Sequence, residues 1–402
     1  WAQESLESAP ANASNVFLVV GISSAIAAIF KRGSRLSLSS VAPFGWEVIR
    51  TLESLPESKS NSLIRKLRCK LLCRVGLVYV KPKVASWRYD LGDRVTDNAL
   101  ALDNKQSGDV GEDLEVDEEI DCIEEIETIV GNLLESLSDK DTIVRWSAAK
   151  GVGRLSQRLP KDMIVDVISN IGEMFSETET DGAWHGGCLA IAELAWRGLL
   201  LPDELPNVVP NILEALNYDV KRGSHSVGSH VRDAACYVFW SFSRSYSSDA
   251  MAEYLQMIAT QLLVVACFDR EINCRRAASA AFQEMVGRQG GIAHGIEALA
   301  MADFFTVSSR KNAYLQVSPQ LAGFKEYSSA LANHLLDSKL FHWEKSLREL
   351  AADALALLVH HTEESFHHVA LQSFLAGCND PSLDMRHGAL MGIARLLPAM
   401  VE

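Results

Sequence analysis

The chain has 402 residues, of which 48% are hydrophobic and 22% are charged. This composition excludes a largely disordered protein and supplies enough apolar side chains for a buried core. The net charge of −14 has the opposite sign to that of a general nucleic-acid binder, which argues against that class.

The chain before residue 103 is predicted to be helical. Apolar spacing predicts helices over residues 16–31, 41–55 and 60–79. The most hydrophobic run, Val16–Phe30, has fifteen residues, whereas a membrane span needs about 20. A basic pair follows this run, whereas a signal peptide carries its charge in front. We therefore expect a buried helix here, and neither a membrane span nor a signal peptide.

A strongly acidic segment follows. Residues 103–127 hold twelve acids and one base, a net charge of −11, which leaves only −3 for the other 377 residues. Because such a segment is too charged to pack, it is predicted to be a disordered insert. Two roles stay open for it: a solvated spacer, or a docking strip for a basic partner.

From residue 128 onward a short pattern recurs, in which an arginine precedes a pair of small residues and an apolar stripe. The anchor residues, one of them a histidine, are at 145, 185, 232, 275, 310, 348 and 386. Their spacing averages about 40 residues, the period of HEAT-type helical pairs. One pair cannot bury its apolar stripe alone, so neighbouring pairs must stack. The sequence predicts an all-α protein, a HEAT/armadillo-like α-solenoid of stacked antiparallel helix pairs, with repeats in 1–102 and 128–402.

The recurring acids and arginines look catalytic at first sight. In a stacked array we expect each arginine to reach an acid of its own or a neighbouring unit instead, which makes these residues structural. The predicted ladder consists of Asp141, Arg145, Arg232, Asp269, Arg275, Arg348, Asp380 and Arg386.

Patterns for catalysis or cofactor binding are not found. The chain contains neither a G-x-x-x-x-G-K-[ST] phosphate loop nor a G-x-S-x-G nucleophile elbow. Its eight cysteines are scattered without a C-x-x-C, which fits reduced thiols better than a disulfide framework or zinc module. The chain is predicted not to be an enzyme, and to have no catalytic residue, cofactor or metal.

One histidine cluster leaves an alternative open. His360, His361, His367 and His368 are either ordinary surface or helix-end residues, or a metal site. The intervening Thr362–Glu364 resembles a helix start, which breaks the shared face that a metal needs and favours the first interpretation.

The loop 221–230 is the most prominent polar connector, since Val227 is its only apolar side chain. It is either a solvated connector or a partner contact. If it is a contact, the candidate partner-binding residues are Lys221, Arg222, Ser224, His225 and His230.

Several segments are more specific than the repeat class. They are Lys140–Gly151 (KDTIVRWSAAKG), Ala183–Ala190 (AWHGGCLA), Val231–Val238 (VRDAACYV), Asp269–Gly290, Lys81–Arg88 and Met385–Gly388. In these segments, from about residue 60 to 390, the chain resembles the tubulin folding cofactor D family, with an acidic insert in the expected place. Residues 1–55 match more loosely.

The resemblance implies a HEAT/armadillo-like solenoid that binds β-tubulin after its release from the cytosolic chaperonin. It implies work with tubulin cofactors C and E and an Arf-like small GTPase, in assembling or dismantling the α/β-tubulin dimer. It also implies stimulation of GTP hydrolysis by tubulin, in the cytoplasm and at the cytoskeleton. Because family members are much longer, and because the chain begins with Trp1, it is predicted to be an internal segment.

A second class stays open, a general α-solenoid scaffold or an importin-like transport adaptor. Such an adaptor usually carries a regular ladder of tryptophans on its inner helices. The tryptophans here, at 1, 46, 87, 146, 184, 196, 240 and 343, keep no single repeat position, which favours the chaperone hypothesis.

Overall fold

The structure, a computed structural model, describes residues 15–55, 59–82, 84–90 and 123–401. Residues 103–122 of the predicted acidic insert lie outside the described residues. Residues 123–127, which were assigned to that insert, instead form the first turns of a helix. Contacts divide the chain into two compact units, which we call the first unit (1–211) and the second unit (212–402).

The first unit consists of helices, as predicted. They are α1 (Asn15–Arg32), α2 (Arg35–Ser39), α3 (Ala42–Ser54), α4 (Ser62–Tyr79), α5 (Ile123–Glu135), α6 (Thr142–Ser156), α7 (Lys161–Glu173) and α8 (Asp181–Trp196), with 3-10 turns at Ser136–Ser138 and Pro202–Glu204. The division between the units falls within α9 (Leu205–Ala215). The three helices predicted before residue 80 are confirmed with small shifts of their ends.

The second unit begins with the strands β1 (Val220–Arg222) and β2 (His225–Val227). The helices that follow are α10 (Ser229–Ser245), α11 (Ser248–Met251), α12 (Leu255–Phe268), α13 (Ile272–Gln289), α14 (Gly295–Met301), α15 (Arg310–Asn312), α16 (Ser318–Ala322), α17 (Lys325–His334), α18 (Lys345–Leu358), α19 (Glu364–Cys378) and α20 (Leu383–Val401). Short 3-10 turns occur at Thr306–Ser308 and Val359–His361, and π-helical turns at Ala313–Val317 and Leu335–Lys339.

Local sequence explains several helix starts. The Asn61 side chain accepts hydrogen bonds from two backbone N–H groups of α4, and Thr180 accepts one from Ala183 at the start of α8. Ser247 and Ser309 do the same for α11 and α15. Such caps satisfy N–H groups that have no partner within the helix.

Three of the small pairs behind the anchors are fully buried, as close helix packing requires, whereas Ala277 behind Arg275 is half-buried. Ala148–Ala149, Ala234–Ala235 and Ala351–Ala352 are all at most 2% exposed. Within the first unit α4 packs on α6 and α6 on α8, and within the second unit α10 packs on α13 and α18 on α20. Successive anchor helices therefore stack within each unit, which confirms the all-α solenoid class.

The weakest sequence copy, at Arg310, is also the least regular in structure. Its first helix is broken into α15, a π-helical turn and α16. Pro319 lies just past the π turn, and proline cannot donate the backbone hydrogen bond that a continuous helix needs. Among the described residues, no helix combines the length and apolar character needed to cross a membrane.

Candidate functional site

Four of the six anchor arginines, and also Arg65 at the start of α4, share one contact with the loop before their own helix. A terminal guanidinium nitrogen donates to the carbonyl of the residue six positions earlier. The pairs are Arg65 with Lys59 (3.1 Å), Arg145 with Asp139 (2.6 Å), Arg275 with Asp269 (2.9 Å), Arg348 with His342 (2.7 Å) and Arg386 with Asp380 (2.7 Å). These five arginines therefore tie the loop to the helix that follows it.

Two anchors also reach a histidine of the next anchor helix. Arg145 Nε donates to His185 Nδ1 at 2.8 Å, and Arg348 Nε donates to His387 Nδ1 at 3.2 Å. The geometry therefore makes His185 equivalent to His387, whereas the sequence pattern matched it with Arg386. The histidines serve as acceptors that join consecutive helices within a unit.

A glycine follows each of these histidines, and the packing explains why. A Cβ atom at Gly186 would overlap the backbone carbonyl of Leu137, and one at Gly388 would overlap that of Leu340. Close approach of a helix to a neighbouring backbone requires glycine. The Arg–His–Gly combination is thus a repeated packing element.

Arg232 and Arg275 each bind a different kind of acceptor, and neither binds a histidine. Arg232 makes a two-point ion pair with Asp269, at 2.6 Å from Nε and 3.2 Å from the second terminal nitrogen. Arg275 instead donates to the carbonyls of Val307 and Ser308, both at 2.7 Å. The arginines therefore meet a carboxylate at one junction and backbone carbonyls at the other.

The other ladder acids bind groups that the prediction did not name. Asp141 and Asp139 both pair with Arg65, whose Nε lies 2.7 Å from Asp139 Oδ2. Asp380 accepts a hydrogen bond from the backbone N–H of Ser382 at 2.7 Å. The carboxylates of Asp139 and Asp141 therefore join the loop before α6 to α4, and that of Asp380 stabilises the loop before α20.

The candidate partner-binding loop folds into a β-hairpin rather than an irregular connector. Lys221 pairs with Ser226 and Arg222 with His225 across the two strands. The turn needs Gly223, whose φ of +65° is readily adopted by glycine. Four candidate side chains, Lys221, Arg222, Ser224 and His225, are exposed on this hairpin, whereas His230 is half-buried in the first turn of α10.

A polar cluster adjoins the hairpin and fixes it to the helices of the second unit. We call it the hairpin cluster: Asp219, Arg232, Asp269, Arg270 and His342. Arg270 donates to Ser226 Oγ of β2 at 2.9 Å. Asp219 lies 3.1 Å from His342 Nε2 and 3.7 Å from Arg232. The hairpin is therefore held by charged side chains that come from distant parts of the sequence.

The charge balance of this cluster favours an ionised Asp219. Burial alone would raise the pKa of Asp219, but hydrogen bonds from His342 and Ser226 and the charge of Arg232 lower it to about 2. Burial would likewise lower the pKa of Arg232, but the charge and hydrogen bonds of Asp269 raise it above the ordinary arginine value. Both residues are charged at neutral pH.

Sequence reasoning missed Asp219, Arg270 and His342. His342 lies 123 residues after Asp219, and neither residue belongs to a recurring motif. The nearest available signal was the polar loop 221–230, which indicated the hairpin but not the residues that hold it. Contacts between such distant positions arise only when the helices stack.

The cavities described here do not assemble a reaction centre. The cavity at the hairpin cluster holds about 40 Å³, which accommodates water rather than a substrate. A larger one of about 550 Å³ has Glu297 as its one titratable lining side chain, so it lacks an acid–base pair. Within the described ranges, no group of three His, Cys, Asp or Glu side chains is placed to hold a metal ion.

The histidines and cysteines have structural surroundings. His367 Nε2 lies 3.0 Å from Thr362 Oγ1, and the helix α19 starts after the 3-10 turn that holds His360 and His361. Cys69 and Cys73 are buried, and burial raises the pKa of both thiols. These features fit helix-end histidines and inert buried thiols.

Comparison with known families gives a match over more than half of the chain. Residues 63–296 match the family described as tubulin-specific chaperone D-like, ARM repeats. This range begins in the first turn of α4, extends past the end of α13 and includes the whole hairpin.

Two curated relatives are similar over most of the chain. One is the tubulin-specific chaperone D of Dictyostelium discoideum, 38% identical over 96% of this chain. The other is the tubulin-folding cofactor D of Schizosaccharomyces pombe (strain 972 / ATCC 24843), 32% identical over 75% of this chain. The aligned part of this chain covers 27% of the length of each relative.

Solved structures give weaker similarities. A structure of Kap95p, whose binding induces the switch loops of RanGDP to adopt the GTP-bound conformation, has a TM-score of 0.39 and 13% identity, over 95% of this chain and 50% of that one. A structure of Kap121p bound to RanGTP has a TM-score of 0.35 and 14% identity, over 98% and 38%.

Proposed function

The chain belongs to the tubulin-specific chaperone D-like family of ARM repeats, and from this premise we propose that it is a non-enzymatic segment that binds β-tubulin. With cofactors C and E and an Arf-like small GTPase, it supports assembly and disassembly of the α/β-tubulin dimer in the cytoplasm. Activation of GTP hydrolysis takes place at the nucleotide of tubulin, to which this chain contributes position rather than a nucleophile.

One observation carries this proposal: two tubulin chaperones of distant organisms are similar to the chain over most of its length. The fold adds support, because stacked helical repeats present extended surfaces that are suited to binding another protein. The exposed hairpin, held rigidly by the hairpin cluster, is the part of the second unit that we propose contacts tubulin. A rigid exposed loop binds with a small loss of conformational entropy.

A pull-down of purified β-tubulin by this chain tests the proposal. We expect capture by the wild type and weaker capture by the triple variant Lys221→Ala, Arg222→Ala, His225→Ala. The matched control is Lys311→Ala, Arg288→Ala, His361→Ala, which removes the same residue types from other exposed positions of the second unit. Equal capture by both variants would remove the hairpin from the interface.

Failure of both this chain and the longer family protein to capture β-tubulin would remove the chaperone proposal itself. Displacement of a bound partner by a basic peptide would favour the importin-like adaptor. Phosphate release from GTP tests the non-enzymatic part: the chain alone is expected to release none.

A further inference from the structure

Two stacked helices of the first unit carry matching rows of basic side chains. Lys66, Lys70 and Arg74 are four residues apart on α4, so they lie on one face of that helix. Lys150 and Arg154 have the same spacing on α6. We call these five residues the basic strip.

The anchors put the two rows side by side. Arg65 and Arg145 hold equivalent positions, since each donates to the carbonyl six residues earlier. Counting from these anchors, Lys70 corresponds to Lys150 and Arg74 to Arg154. Because α4 packs directly on α6, the two rows form one surface.

Among the described residues, these five cations differ from Arg65 and Arg68 of α4 in lacking acidic partners. Arg65 pairs with Asp139 and Asp141, and Arg68 pairs with Glu53. Throughout the part of the chain that the structure describes, no member of the basic strip forms an ion pair. Its polar and aromatic contacts are an Arg74 hydrogen bond to the Ala27 carbonyl and the position of Lys150, 5.2 Å from the Trp146 ring centre.

The positive charges of the basic strip repel one another. Burial lowers the pKa of Lys70, and the charges of Lys66, Arg74, Lys31 and Arg154 lower it further. Burial also lowers the pKa of Arg74, and Arg154 adds to that effect. An anion that covers the strip relieves this repulsion, and the strip therefore favours a negatively charged ligand.

An equivalent row in the second unit shows the contrasting arrangement. Counting from the anchor Arg348, the corresponding residues of α18 are Glu349 and Asp353, and Asp353 pairs with Arg395 of α20 at 2.9 Å. Charges at these repeat positions are thus paired in the second unit, whereas the described residues of the first unit supply no acidic partner to the basic strip.

The dimensions indicate the ligand. From Lys66 to Arg74 the row rises about 12 Å along α4, and packed helices lie about 8–10 Å apart. An extended peptide of about four residues spans the same length. A nucleic acid is disfavoured, because the whole chain carries −14 and a general nucleic-acid surface is basic over a larger area.

We propose that the basic strip is a docking surface for an extended acidic segment of a partner protein, with carboxylates that pair with Lys66, Lys70, Lys150 and Arg154. The proposal is independent of the proposed tubulin role, because it concerns other residues than the hairpin and is tested without tubulin. Charge complementarity carries it: cations on two adjacent helices that pair with no acid of the described ranges fit a run of side-chain carboxylates.

Fluorescence anisotropy with a labelled glutamate-rich peptide of about ten residues tests the proposal on the whole chain. We expect salt-sensitive binding. The variant Lys66→Gln, Lys70→Gln, Lys150→Gln, Arg154→Gln is expected to bind about tenfold more weakly or worse. The matched control, Lys59→Gln, Lys140→Gln, Lys161→Gln, Arg50→Gln, removes the same number of each residue type from exposed positions outside the basic strip in the first unit, and is expected to bind like the wild type.

Three outcomes would overturn the proposal: no binding by the wild type, equal weakening by both variants, or binding that appears only after removal of residues 103–122. The last outcome would assign the strip to the acidic segment of the chain itself. Circular dichroism of the strip variant checks folding, and an unchanged or raised midpoint of thermal unfolding is expected because repulsion is removed.

Discussion

Arg145 in the first unit and Arg232 in the second hold the same position of the repeat but meet different partners. Arg145 donates to the carbonyl of Asp139, the hydroxyl of Thr142 and the ring of His185. Arg232 donates to both oxygens of the Asp269 carboxylate. One junction therefore joins an arginine to neutral acceptors, and the other is a buried ion pair.

The difference shows in the electrostatics of the two arginines. Burial lowers the pKa of Arg145, and its acidic neighbours do not reverse the effect. For Arg232, Asp269 more than offsets burial and raises the pKa. The repeat thus specifies that a cation lies at each junction, while the stability of that junction depends on the acceptor that the next helix supplies.

Arg232→Met is expected to produce the largest loss of stability. It leaves the Asp269 carboxylate, which is 4% exposed, without its ion-pair partner. Removing one member of a buried pair lowers the free energy of unfolding by about 3–5 kcal/mol. Urea unfolding followed by circular dichroism measures the change.

The double variant Arg232→Met, Asp269→Leu separates the unpaired charge from lost packing. We expect it to recover part of the stability, since no charge remains buried alone. A double variant as unstable as the sum of the two single variants would contradict this account, because the two residues would then act independently.

Arg145→Met is expected to have a smaller effect. It leaves neutral acceptors without their donor, and an unsatisfied buried polar group costs about 1–3 kcal/mol. The same urea measurement applies, with Arg145→Lys as the companion variant that keeps the charge but loses the fork of donors. A loss equal to that of Arg232→Met would show that the acceptor does not matter.

The sequence predicted a cation at each junction and an acid as its acceptor, whereas Arg145 meets a histidine and neutral oxygens instead. An arginine before two small residues recurs visibly, and Ala148–Ala149 and Ala234–Ala235 are buried as expected. His185 lies 40 residues from Arg145, and Asp269 lies 37 residues from Arg232. No local spacing distinguishes these acceptors, because they meet the arginine only after the helices stack.

Sequence reasoning also missed the hairpin and the basic strip, each for its own reason. The hairpin has strands of three mostly exposed residues, which give no apolar alternation to detect. The net charge of −14 gives no indication of the basic strip. Its two rows are 80 residues apart in the sequence and lie side by side only because α4 packs on α6. Local patterns reveal helices and buried stripes, whereas surfaces built from two helices need the tertiary structure.

Lys221→Ala, which removes an exposed charge of the second unit, is expected to change stability less than either arginine variant. Lys221 Nζ lies 3.5 Å from Asp384 Oδ2, and its side chain is 52% exposed. Such a pair contributes less than about 1 kcal/mol, because water screens it and Asp384 remains solvated after the change. Asp384 also keeps its 2.9 Å contact with Arg348. Urea unfolding is expected to show almost no change, and a loss as large as that of Arg145→Met would mean that the hairpin is itself part of the stable core rather than a surface held by it.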